Sequence, residues 1–304
     1  YRMIYVILSS YNKHYLKRNL IINEMKTSIK NQNDAKAVFK KCGTCSRTFA
    51  HILNREFGHV KEHEERALNP LAGGILNQGH QCGMLWGAAL AVGSESFRKH
   101  KDLEKAIAVA ATQRIIDSFV KQSGAVNCEA IIGYDLTSFF GMTKFMLKIT
   151  LQGINNSHCF NLAEQWAPEA VEAATKGLSQ PIDISQKPLS CTSEMVRQMG
   201  GSNEEIVMVA GFAGGLGLSG NACGALSAAI WKKTLDWCRA NLGKNPPYFN
   251  NKTAKKLLKT FNEVTHNTIL CSDICGQKFK TLDDHTVYLK SGGCSTLIKV
   301  LANT

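Results

Sequence analysis

Eleven cysteines stand in this chain of 304 residues, and eight of them recur in pairs. Cys45 matches Cys191 at an offset of 146 residues, Cys82 matches Cys223 at 141, Cys128 matches Cys271 at 143, and Cys159 matches Cys294 at 135. The order is the same in both halves and only loop lengths drift, as a tandem duplication requires. Ala72-Gly-Gly-Ile-Leu-Asn-Gln-Gly-His-Gln-Cys82-Gly83 aligns with Ala213-Gly-Gly-Leu-Gly-Leu-Ser-Gly-Asn-Ala-Cys223-Gly224. Each is a glycine-rich turn running into Cys-Gly and then into an apolar stretch. A cysteine that opens a helix after such a turn meets unpaired backbone N–H groups and the positive end of the helix dipole, which favour its thiolate. Gly79, Gly83, Gly220 and Gly224 allow the backbone to approach the sulfur closely. Thiolates ligate metals and attack disulfides. Four per half equal the ligand count of a 4Fe–4S or 2Fe–2S cluster, or of structural zinc. Thiol–disulfide exchange using the same cysteines, or a zinc-stapled adaptor, are the alternative readings.

The elements that must bring these residues together read as helices. Leu103, Ile107, Ala111, Ile115 and Phe119 fall every fourth position, and Ala254, Leu257, Leu258, Phe261 and Val264 follow three–four spacing. The segments 33–57 and 163–174 are helical in composition, and strand-like alternation is almost absent. The fold class expected is all-α: two tandem helical repeats, each with a glycine-rich turn leading into a Cys-Gly helix start. The expected divisions are 1–24, 25–175 and 176–304. Residues 1–24 show no helical or alternating period, so Met25 is the expected start and what precedes it is upstream sequence. On that reading the compartment is cytoplasmic; export is expected instead if 1–24 is the tail of a truncated signal.

Several features carry less. Gly215-Leu-Gly217-Leu-Ser-Gly220 fits the spacing of a dinucleotide-binding turn, but Ser202-Asn-Glu-Glu205 is a capping box, so a helix should precede the turn where that fold needs a strand. Cys42, Cys238 and Cys275 have no counterpart in the other half and read as small buried apolar residues. Cys42-Gly-Thr-Cys45 would share a face if it lay on one helix. His80 and His158 precede cysteines and can ligate metal, but Asn221 and Gly293 replace them in the second half, so both read first as solvent-facing or sulfur-supporting groups. No repeated acid–base pair, nucleophile elbow or metal–histidine motif accompanies the cysteines, so the sequence gives no support for a substrate-transforming enzyme beyond an oxidoreductase or electron-transfer component.

Composition sets the outer limits. Hydrophobic residues at 44% and charged residues at 20% describe a globular chain rather than extended disorder. No apolar run reaches the roughly 18 residues of a membrane span. The net charge of +12, with Lys252-Thr-Ala-Lys-Lys-Leu-Leu-Lys259 as a solvated helix face, suits an acidic redox partner protein. Nucleic-acid signatures are lacking.

At the repeated cysteines the chain resembles the C_GCAxxG_C_C family of redox-active proteins. Members are about as long as one half of this chain, so two copies are expected to cover nearly all of it from Met25 onward. The first cysteine of the pattern falls on Cys45 and Cys191. The central element falls on Cys82-Gly-Met-Leu-Trp-Gly87 and Cys223-Gly-Ala-Leu-Ser-Ala228, and the last two cysteines on Cys128 and Cys159, and on Cys271 and Cys294. Met84 stands for an alanine of the pattern and Ala228 for its closing glycine; neither change touches a cysteine. The resemblance implies a redox role with a bound iron–sulfur group, in the neighbourhood of transporters or oxidoreductases.

Overall fold

Apolar stripes and capping residues divide the chain into helices joined by short turns. The computed structural model describes residues 34–304; the segment 1–24 and Met25 lie outside the described residues. The first half holds α1 (Ala35–Cys42), α2 (Cys45–Glu56), α3 (Glu62–Arg66), α4 (Gly83–Lys99), α5 (Glu104–Ser123), α6 (Cys128–Ile132), α7 (Phe139–Gln152) and α8 (His158–Leu178). The second half holds α9 (Cys191–Gln198), α10 (Asn203–Met208), α11 (Gly224–Ala240), α12 (Lys252–Thr265), α13 (Cys271–Cys275), α14 (Leu282–Lys290) and α15 (Ser295–Ala302). Helices α2 to α8 therefore have counterparts, in order, in α9 to α15. The protein is all-α with tandem repeats. Among the described residues, β pairing is confined to two equivalent isolated bridges, Gln81 with Asn127 and Ala222 with Leu270.

The four-residue stripe of α5 is buried through Ile107, Ala111, Ile115 and Phe119, and the helix ends on Gly124 in a left-handed cap. Helix α12 starts where the Asn251 side chain accepts the Ala254 N–H, and it buries Ala254, Leu257 and Phe261. Two details differ from expectation or sharpen it. The stretch running to Phe57 is two helices, because Gly43 takes a φ of +81° and the Thr44 side chain then caps α2. Cys42 thus ends one helix while Cys45 opens the next, so the CxxC does not lie on one helical face. The Ser202–Glu205 capping box is formed in both directions and opens α10. The glycine turn at 215–220 accordingly follows a helix and a 3₁₀ turn, with Leu216 and Leu218 buried in the core.

Residues 35–304 form one compact unit. Trp86, Trp166 and Trp231 are its largest fully buried side chains, and truncating any of them to alanine would cost about 3–5 kcal/mol. The halves pack reciprocally. A Cβ on Gly93 of α4 would collide with the backbone of Met208 in α10. In the converse contact, the Trp231 indole N–H of α11 donates to the Glu64 carbonyl of α3 at 3.1 Å. Gln81, buried beside Cys82, donates to the carbonyls of Gly215 (3.0 Å) and Ala222 (3.3 Å) in the opposite glycine turn. The expected division after residue 175 falls inside α8, which runs to Leu178.

Candidate thiol sites

Each repeated cysteine stands at the start of a helix. In the first half Cys45 opens α2 behind the Thr44 cap, Cys82 is the N-cap of α4, Cys128 opens α6, and Cys159 is the second residue of α8. Local hydrogen bonds bring these starts together. The glycine turn closes on itself, with the Gly79 N–H donating to Gly73 (3.1 Å) and the His80 N–H to Gly74 (3.1 Å). Gly79 needs its left-handed φ of +76° to do so. The Cys82 N–H then donates to Val126 (2.8 Å), and the Cys128 N–H donates back to His80 (2.6 Å). Gly83 admits the last partner: a Cβ there would lie 2.5 Å from the Cys45 sulfur.

The result is a cavity of about 170 Å³ lined by Cys45, Cys82, Cys128 and Cys159 together with aliphatic and aromatic side chains. Phe145 and Ile149 of α7 form part of the wall, while Phe139, Phe140 and Leu151 on the same helix are exposed. Tyr248, from the second half, also reaches this wall and donates to the Asn77 side chain at 2.7 Å. Neither His80 nor His158 lines the cavity. His80 is half-buried and contributes its backbone carbonyl, and His158 is exposed.

The second half repeats the scaffold. Cys191 opens α9 behind Ser190, Cys223 caps α11, Cys271 opens α13, and Cys294 caps α15. The Cys223 N–H donates to Ile269 (2.9 Å), the Cys271 N–H to Asn221 (2.7 Å), and the Ser272 N–H to Gly220 (3.0 Å). Gly224 packs directly on the Phe212 carbonyl, as Gly83 packs on Cys45. One residue departs from the expected set. Cys275 is not an isolated apolar residue: its sulfur lies 3.8 Å from Cys271 and 3.7 Å from Cys294. The spacing Cys271-x3-Cys275, one helical turn, was the available signal. Tyr288 hydrogen-bonds to this group, and His285 is buried close by. Nothing in the sequence singled out Tyr248, Tyr288 or His285. Cys42 and Cys238 are buried outside both clusters.

The electrostatics reverse one expectation. Cys82 and Cys223 occupy the predicted helix starts, yet neither is the favoured thiolate. A hydrogen bond with Cys45, together with burial, pushes Cys82 well up. Burial raises Cys223 to about 11, although the N–H groups of Leu226 and Ala225 pull the other way. Desolvation outweighs the helix terminus here. Burial likewise raises Cys159 and Cys191 to about 12, and raises Cys128 further. The lowered thiols are Cys45, held down by its hydrogen bond with Cys82, and Cys275, held down by Cys271 and then Cys294.

The family model described as "Putative redox-active protein (C_GCAxxG_C_C)" matches residues 43–173 and again 189–304. The chain belongs to this family. Both copies of the family unit are present, and the two matched spans contain the eight repeated cysteines placed at helix starts above. No curated protein and no solved structure matches the chain. No described helix is long and apolar enough to cross a membrane.

Proposed function

We propose that this redox-active protein carries electrons through an iron–sulfur cluster held in its first half by Cys45, Cys82, Cys128 and Cys159. The observation that carries the reading is the cavity itself. Four soft donors, far apart in sequence, line one apolar-walled space with no lysine or arginine on its wall. Buried thiols without a cationic partner resist ionisation, as the raised values of Cys82, Cys128 and Cys159 express, and a metal core supplies the missing positive charge. A polynuclear cluster presents separate irons to separate cysteines, which suits four donors spaced around one cavity. Such a cluster supplies one-electron redox chemistry.

The chain's own residues hold and shield that group. Gly83 keeps the Cys45 sulfur against α4, Phe145 and Ile149 exclude water, and Tyr248 seals the wall with its hydroxyl turned to Asn77. The net charge of +12 favours an acidic partner for electron exchange. Anaerobic purification with iron, acid-labile sulfide and visible absorption is the test. Bound iron and sulfide, with a band that bleaches on reduction and is lost in C45S and C128S, are expected. Colourless, iron-free protein, before and after anaerobic reconstitution, would refute the reading.

A further inference from the structure

We propose that Cys275 and Cys294 form a dithiol–disulfide couple that exchanges with small-molecule disulfides reaching the second half from the surface. This goes beyond the first-half cluster and does not depend on it. Four observations converge. The two sulfurs are already in contact at 3.7 Å. Cys294 lines a surface hollow of about 450 Å³ that also includes Tyr288, Ile274 and Leu297, whereas the first-half cysteines line a smaller cavity roofed in part by α7. Cys275 has no sulfur counterpart, because the equivalent position on α6 is Ile132, which walls the first cavity. Cys294 also takes a left-handed φ of +59°, unlike Cys159 inside α8, so it caps α15 from a backbone position that L-residues seldom adopt. The two halves have therefore diverged at the residues that decide access.

The exchange balances without any group outside the proposal. The Cys294 sulfur attacks one sulfur of an incoming disulfide, breaking that bond and forming a mixed disulfide. Cys275, the lowered thiol in contact with it, takes the Cys294 proton as the new bond forms, and the first sulfur leaves as a thiolate. Cys275, in contact behind it, then attacks the Cys294 sulfur and expels the second, which takes the Cys275 proton. A thiol and a thiolate of the protein are oxidised to one disulfide, and the incoming disulfide is reduced to a thiolate and a thiol. In closing the bond the protein sulfurs move from 3.7 Å to about 2.0 Å. Tyr288, hydrogen-bonded to both sulfurs, stands at the edge of the hollow.

The experiment uses the full chain, reduced and held anaerobically in graded glutathione and glutathione disulfide, followed by alkylation and peptide mass spectrometry. The wild type is expected to yield a Cys275–Cys294 linked peptide that disappears on reduction. C275S should lose this link and accumulate the glutathione adduct on Cys294, which it cannot resolve. C45S should lose first-half iron yet keep the link, so failure of either reading is visible without the other. A bridge between other cysteines, or no adduct on Cys294 in C275S, would overturn the proposal. So would bound iron that shields Cys271, Cys275 and Cys294 from alkylation until it is removed.

Discussion

Replacing Gly83 by alanine tests how the first cavity is built. The new Cβ would lie 2.5 Å from the Cys45 sulfur, 3.0 Å from the Ala72 Cα and 3.2 Å from the Ser46 nitrogen. Ordinary contacts of this kind need about 3.5 Å or more, so the sulfur must retreat by about 1 Å. Backbone on two other sides prevents the methyl from sliding away. Overpacking of this sort costs about 1–3 kcal/mol, while alanine returns up to about 1 kcal/mol of helix propensity. A net loss of about 1–2 kcal/mol follows, or roughly 2–4 °C in melting temperature for a chain of this size. The displaced sulfur should also be alkylated faster under native conditions, and iron retention in the first half should fall. Gly124→Ala is the control, since that glycine has a φ of +75° but nothing within 4 Å of its Cβ position. It pays a backbone penalty and leaves Cys45 unchanged. If Gly83→Ala matched the wild type in melting, Cys45 alkylation and iron content, the close approach of α2 to α4 would not be what seats this sulfur.

Three further outcomes follow from side chains other than the cysteines. His285 is 1% exposed, and burial lowers its imidazole to about 4. The folded chain keeps it neutral while the unfolded chain protonates near 6.5, so its contribution is intact above about 6.5 and is lost as pH falls towards 4, by about 3 kcal/mol in total. Urea unfolding at pH 7 and pH 4.5 should show that slope, and H285F should flatten it; an unchanged slope would contradict the assignment. Glu205→Ala removes the partner of Arg239 (2.5 Å) and of the buried Lys232 (3.3 Å), leaving Lys232 with Asp236 alone. A loss of about 3 kcal/mol by denaturant titration is expected, and a neutral result would show that Asp236 suffices. Gln81→Ala strips the Gly215 and Ala222 carbonyls of a donor. It should destabilise by about 1–3 kcal/mol and raise amide exchange in the second glycine turn; protection equal to wild type would mean that the halves are not coupled there.

Much of this molecule is written in short-range signals. Helical periodicity marked α5 and α12, the Ser202 box marked α10, and the recurring cysteines marked both the duplication and the family, because these depend on neighbours within a turn or on comparison of the chain with itself. Local chemistry also places Cys82 and Cys223 at helix starts. Their ionisation does not follow from that placement, since desolvation depends on residues packed around the sulfur from distant segments, and it overrides the helix terminus. The same limit hid Tyr248, which crosses from the second half to the first cavity, and His285. It also hid the role of Cys275, whose sulfur meets Cys294 only because α13 and the start of α15 converge in space. Sequence by itself determined an all-α duplicated redox protein with Cys82 and Cys223 at helix starts; tertiary packing alone decided which sulfurs meet, which are buried, and which face the surface.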